Sequence, residues 1–574
     1  MHPAKNFAAK QVLCLLLGTA LGACTPLGID SSEEALYGIR TVSFDKNGGD
    51  TEAVPASMTL RPPVNTLGRL PEQPTRARHT FMEWNTEKDG SGSPFAEQTP
   101  VTANILLILY AQWEAHLELQ LPTGLATLTP MAGERSATFS VTVSGFHSEE
   151  DAQGVTLSRD LVDAQGLSLR KLVSSYTPRS HIVHLTVEYD GLTPFPEGFA
   201  TLHFDLENIP KGYRYGGGPQ TLRVYIADGL EKTRPIPVNA DNIHTFNDYA
   251  NTPEGLGQHY QLMENVALTP PEAGQSNWTA IGTYGYIPAD NRPFTGSFDG
   301  GGHSIVGLTL HATDDIDQSD FQGMFGQIEG AEIKNLGLEG GSVTGRGYVG
   351  GLVGMSRDGT VHNSYATGSV QGSNYVGGLV GYNWGGPVHN SYATGSVTGA
   401  DGVGGLVGQN RNGAVHNSYA TGNVKGSFFV GGLVGDNFSR VENSYATGSV
   451  QGSNYVGGLV GDNWGSAARV QGSVALNPSV VATANAGRVV GRNHPDAALT
   501  DNRARSNMAL TPPAELDTIG ANLKNGAGVS AAAYGSESFW KAEPMHWDFD
   551  TVWEWGPIGL PILQGLGGEQ RLIP

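Results

Sequence analysis

Apolar and polar residues alternate in short runs along much of this 574-residue chain. Ala137-Thr138-Phe139-Ser140-Val141-Thr142-Val143, Ile182-Val183-His184-Leu185-Thr186-Val187 and Leu222-Arg223-Val224-Tyr225-Ile226 each follow period two, the mark of a strand with one buried face. Strands at this spacing over 114–238 predict a β-sandwich, with an immunoglobulin-like topology as the working expectation. Further on, alternation gives way to a fixed repeat. Val-Gly-Gly-Leu-Val-Gly begins at Val349, Val376, Val403, Val430 and Val456, with spacings of 27, 27, 27 and 26. Asn-Ser-Tyr-Ala-Thr-Gly recurs at Asn363, Asn390, Asn417 and Asn443. Degenerate copies flank the array at Gly323-Met324-Phe325-Gly326 and Gly487-Arg488-Val489-Val490-Gly491. A constant period with atypical end copies predicts a solenoid.

Each unit holds three strand-like runs separated by Gly, Asn or Asp, and stacking them ~4.8 Å apart aligns identical residues into ladders. The five repeat valines and Leu352, Leu379, Leu406, Leu433 and Leu459 then form interior stacks. The four asparagines form an amide ladder, and Gly378, Gly405 and Gly432 become corner or close-approach positions. About seven coils make a rod section of roughly 35 Å. The solenoid is expected over 239–499, and a Trp-rich segment, 500–574, is expected to cap it. The whole is an all-β, multidomain chain.

Composition narrows the function. Eighty residues are glycine, only 16% are charged, and 55 acidic against 34 basic residues leave a net charge of −21. Nucleic acid is excluded as an expected partner, because phosphate binding needs a basic surface. The first residues carry Lys5 and Lys10, then the apolar run Val12 to Ala20, the parts of a secretory signal too short to span a bilayer. The chain holds two cysteines, Cys14 within the apolar run and Cys24 just after it.

Leu21-Gly22-Ala23-Cys24 resembles the lipobox of bacterial lipoproteins. That resemblance implies cleavage before Cys24, acylation of Cys24, and a polar tether over 24–40 that attaches the chain to the cell envelope, at the outer membrane or cell surface. Val42 to Gly49, Leu70-Pro71, Phe81-Met82-Glu83-Trp84-Asn85, Asp89-Gly90-Ser91-Gly92 and Leu109 to Trp113 resemble one internalin-type B-repeat, the Listeria–Bacteroides repeat, over 41–113. It implies a compact β-grasp-like module used as a spacer or contact unit, with Trp84 and Trp113 as core plugs. Arg78-His79 departs from the usual Gly-Tyr of that family. The 27-residue units, with Trp278 to Gly282, Phe294 to His303 and Leu560 to Leu563, are similar to the GLUG motif family over about 239–574. That resemblance implies a right-handed parallel β-helix in bacterial surface proteins, adhesins among them.

Candidate chemistry is sparse. Gly345-Arg346-Gly347-Tyr348-Val349-Gly350 spells G-x-G-x-x-G but merges into the repeat instead of joining a strand to a long helix. No H-E-x-x-H or G-x-x-x-x-G-K-[ST] occurs. His362, His389 and His416 fall one per coil, with Glu442 next in the column; an exposed column copied by duplication is the plainer reading than a metal site. Asp314, Asp315, Asp317 and Asp320 fit no EF-hand spacing, and Asp299 reads as a turn former. Asp436 and Asp462 share a column without an obvious partner base, so neither catalytic residues, metal nor cofactor is expected. Arg357, Trp384, Arg411, Phe438 and Trp464, followed by His494, should align as a strip of guanidinium and aromatic faces. Non-enzymatic adhesion to a host or matrix protein or a glycan is the expected function. A polysaccharide-degrading β-helix enzyme and a structural envelope spacer are the alternatives.

Overall fold

The computed structural model describes residues 38–566 apart from 103–105, 163–164, 178, 196, 286–290, 313–318, 514–517 and 558. The signal segment, Cys24, nearly all of the tether, Asp314, Asp315 and Asp317 lie outside the described residues.

The N-terminal module is one sheet in the order Ser57–Leu60, Arg40–Asp45, Leu106–His116, His79–Asn85, Pro94–Phe95. Arg40–Asp45 runs parallel to Leu106–His116, while the other pairs are antiparallel. Trp84 fills the core against Phe44 and Phe81, with ring centroids 4.9 and 5.3 Å away. Trp113, expected as a second plug, is only partly buried; its indole N–H donates to Lys46 O at 3.0 Å and closes the Asn47-Gly48 turn. Leu106–His116 runs on past residue 113, where Ala115 and His116 pair with Tyr213 and Arg214. The module's sheet thus continues into the next domain.

That domain is a sandwich. Glu118–Gln120, Ser136–Ser144, Ser180–Tyr189 and Leu167–Thr177 form one antiparallel sheet, and Gln220–Tyr225, Phe199–Glu207 and Thr156–Val162 form the other. Phe139, Val141, Val143, Leu185, Val187, Leu202, Phe204 and Val224 are its buried faces, as the alternation requires.

From Ile236–Val238 onward the chain winds into a parallel β-solenoid of about ten turns, ending near residue 529. At ~4.8 Å per coil this is roughly 48 Å long, longer than the seven coils counted from the clear repeats. The additional turns are the degenerate copies, which keep the interior apolar positions while losing the motif. A full repeat coil has five short strands rather than three, as in Val380–Trp384, Pro387–His389, Tyr392–Ala393, Val397–Thr398 and Asp401–Gly404. Val376, Val403, Val430 and Val456 pair in register and are fully buried, as are the five leucines. Close approach makes the corner glycines necessary: a Cβ on Gly405 would lie 2.1 Å from Gly432 O. At the N-terminal end the helix Ile243–Ala250 presses Phe246 onto Tyr260 and Phe298.

The segment expected as a cap behaves differently. Arg503–Arg505, Ala509–Thr511 and Ala527–Val529 still belong to the solenoid. Residues 530–566 then turn back along its side as a strap. Trp540, Trp547 and Trp553 pack on Tyr445, and Trp553 also on Tyr419, at one end of a column in which Tyr365, Tyr392, Tyr419 and Tyr445 stack with ring centroids 4.8 to 4.9 Å apart.

Candidate functional site

The strip lies on one long side of the solenoid. Each repeat strand of the Val380–Trp384 type sends its valine inward and its last residue to the rim. Between them Asn383 turns inward, and its Nδ2 donates to Asn410 Oδ1 at 3.0 Å. Asn410 repeats the bond to Asn437, Asn437 to Asn463 and Asn463 to Asn493, at 2.9, 2.8 and 2.7 Å. All but Asn493 are buried, and the ladder holds the coil register beneath the strip. The expected Asn363, Asn390, Asn417 and Asn443 column occupies a corner with φ of 46 to 49°, where asparagine is among the best-tolerated side chains.

Arg357 pairs in register with Trp384, and Trp384 with Arg411. Phe438, Trp464 and His494 follow, each backbone N–H donating to the asparagine carbonyl of the preceding coil. The Arg411 guanidinium lies 5.5 Å from the Trp384 ring centre and 5.7 Å from that of Phe438; Arg357 lies 6.0 Å from Trp384. Trp464 contacts His494 at 4.2 Å between centroids. The two tryptophans are 38% and 40% exposed, which is unusual for rings of that size in a folded chain. All five strip residues named from the sequence therefore stand in one column.

A second aromatic row lies on the solenoid at the start of the repeat motif. Tyr348, Tyr375, Phe429 and Tyr455 precede the repeat valines and hold φ of 52 to 56°, a conformation that costs roughly 1–3 kcal/mol each for such side chains. The sequence signal was the aromatic before Val-Gly-Gly in four of five copies; Gly402 replaces it in the third. The row leans over a column in register, Met355, Tyr382, Gln409, Asp436, Asp462 and Arg492. Tyr382 packs 5.6 Å from Tyr348 and 5.7 Å from Tyr375, and Arg492 lies 4.2 Å from the Tyr455 ring.

The stacked carboxylates are buried. Asp462 is held by Arg492, whose Nε donates to it at 2.7 Å. Asp436 accepts from Gln409 Nε2 at 2.7 Å, while its other oxygen has no hydrogen-bond partner. Burial, reinforced by Asp462 and Asp401, pushes the Asp436 carboxyl up to about 7.

On another side His362, His389 and His416 stack with centroids 5.0 and 4.8 Å apart and nearly parallel rings, and Glu442 follows in register. Burial first, then the adjoining imidazoles, lowers His389 to about 4. His362 Nε2 is 3.2 Å from Glu332 Oε1. Among the described residues no group of three or more His, Cys, Asp or Glu is arranged to hold a metal ion. Asp299 accepts from Gly301 N and Asn335 Nδ2, a turn-forming role, and Asp320 pairs with Arg346. Gly347–Gly350 is a repeat strand with no helix after it. Between the Asn335, Asn363 and Asn390 corner and the strap lies a cavity of about 430 Å³, lined also by Asp299, Thr551 and Gln564. No helix among the described residues is long and apolar enough to cross a membrane.

Comparison with known proteins matches two family models. The chain is also 28% identical over 152 residues to halomucin of Haloquadratum walsbyi; that stretch is 26% of this chain and 2% of halomucin. The family matches coincide with the module and with the most regular coils of the solenoid: the chain carries a Listeria-Bacteroides repeat domain at 41–112 and GLUG motif repeats at 345–371, 372–398, 399–425 and 426–451.

Proposed function

We propose that this is a lipid-anchored bacterial surface protein that contacts an extracellular glycan or a host or matrix protein without catalysing a reaction. The observation that carries this reading is the exposed column of Arg357, Trp384, Arg411, Phe438 and Trp464. Exposed aromatic faces stack on sugar rings and anchor protein interfaces, and a rigid rod presents them at fixed spacing. The Asn ladder beneath spends its amides on register, so the rings and guanidinia are the contact groups. Burial of Asp436 and Asp462 favours a contact surface over a hydrolytic cleft, because a general acid must reach its substrate. Surface location is supported by the lipobox-like Leu21 to Cys24, and the resemblance to halomucin agrees with it.

Two experiments test the reading. Trp384→Ala combined with Trp464→Ala should abolish binding to cells or glycans at an unchanged melting temperature; intact binding with lowered melting refutes the contact strip. Cys24→Ala should abolish lipid labelling and release the protein into soluble fractions, and undiminished lipid incorporation overturns the anchor.

A further inference from the structure

We propose that Arg411 reads negative charge, and that the ligand of the strip is a linear glycan bearing carboxylate or sulfate groups. The inference rests on the strip being the contact surface and adds the chemistry it selects. Three arginines stand on or beside the column, and two of them face acids. Arg357 is 3.7 Å from Glu329, and Arg492 is bound to Asp462. Arg411 is different: among the described residues no carboxylate lies within 4 Å of its guanidinium. Its observed partners are the rings of Trp384 and Phe438. A ring face takes up none of the five guanidinium N–H donors.

The setting makes this cation a receptor. Trp384 and Phe438 stand on either side of it, one coil before and one coil after, so the planar group is flanked by two rings. Arg411 is exposed, so its guanidinium fork is open to the bidentate geometry of carboxylate and sulfate. The rings themselves are two coils apart, about 9.6 Å along the rod. A linear sugar chain running along the axis can rest rings on both platforms and place an acidic substituent on Arg411 between them. The chain as a whole carries a net charge of −21, which opposes an anionic ligand at long range. At physiological salt the field of distant acids decays over ~8 Å, so the contact survives the overall charge. Single-stranded nucleic acid also stacks and carries charge, but it requires a continuous positive groove, which one guanidinium does not make.

The test uses the full-length protein and four polymers: polygalacturonate, dextran sulfate, neutral dextran and single-stranded DNA. Binding is measured by affinity electrophoresis, with Arg411→Gln, Arg411→Lys and the Trp384→Ala, Trp464→Ala pair alongside wild type. An acidic glycan should bind, lose affinity about tenfold or more in Arg411→Gln, recover partly in Arg411→Lys, and weaken as salt rises to about 0.5 M. Whether polygalacturonate or dextran sulfate binds more tightly identifies the anion. Arg411 is exposed, so the variant should melt as wild type does. Equal binding by Arg411→Gln, equal binding of neutral dextran, or a preference for DNA overturns the proposal. If neutral dextran binding is lost in the tryptophan pair yet retained in Arg411→Gln, the charge selectivity fails while the contact strip stands.

Discussion

The Tyr445 hydroxyl donates to the carbonyl of Pro561 at 2.8 Å, a contact between residues 116 apart in sequence that ties the C-terminal strap to the tyrosine column. Around it, Trp547 donates its indole N–H to Gly472 O at 2.9 Å, and Trp553 is fully buried. Trp553→Ala should therefore lower stability by about 3–5 kcal/mol, the usual cost of removing a buried tryptophan. Limited proteolysis checks the location: in the variant, cleavage should begin within 530–566 while the coils stay intact.

Glycine geometry gives a second expectation. A Cβ on Gly405 meets Gly432 O, and one on Gly408 meets the backbone of Tyr375 at 2.5 Å. Backbone cannot give way as a flexible side chain does, so Gly405→Val should cost several times the ~0.5 kcal/mol of ordinary surface changes. Deleting one unit, 377–403, should cost less, because coils touch mainly their neighbours and the register closes again. Thermal melting of both variants decides; a harmless valine with an unfolded deletion refutes the register.

The histidine stack should make the solenoid acid-sensitive. Its folded pKa is about 4 against 6.5 unfolded, so the neutral His389 stabilises above 6.5 and that contribution fades as pH falls toward 4. Denaturant midpoints compared at about pH 7.5 and pH 4.5 should show a drop that His389→Gln reduces by ~1–3 kcal/mol. An identical drop in the variant would assign the acid sensitivity elsewhere.

Asp436 has the opposite sign. Its folded pKa, about 7, is above the unfolded 3.8, so the stability it contributes is present in acid and lost as pH rises through 7. Asp436→Asn should stabilise the protein at about pH 8 by ~1–3 kcal/mol and much less at about pH 4. A gain independent of pH would show that packing, rather than ionisation, explains the change.

The sequence by itself determined what repetition and alternation encode. Period two placed the sandwich strands, and a 27-residue period placed the valine and leucine stacks and the order of Arg357, Trp384, Arg411, Phe438 and Trp464. Stacked coils must pair in register to satisfy their backbone, so equal spacing in sequence becomes adjacency in space. Tertiary structure alone decided the rest. Three runs per unit became five strands because glycine and asparagine corners divide them, and about ten turns emerged because the outer coils keep their core residues without the motif. The strap has no period to read, and its place depends on a tyrosine column over a hundred residues away. Burial of Asp436 likewise depends on its place between Gln409 and Asp462 of the neighbouring coils, an arrangement that no single repeat contains.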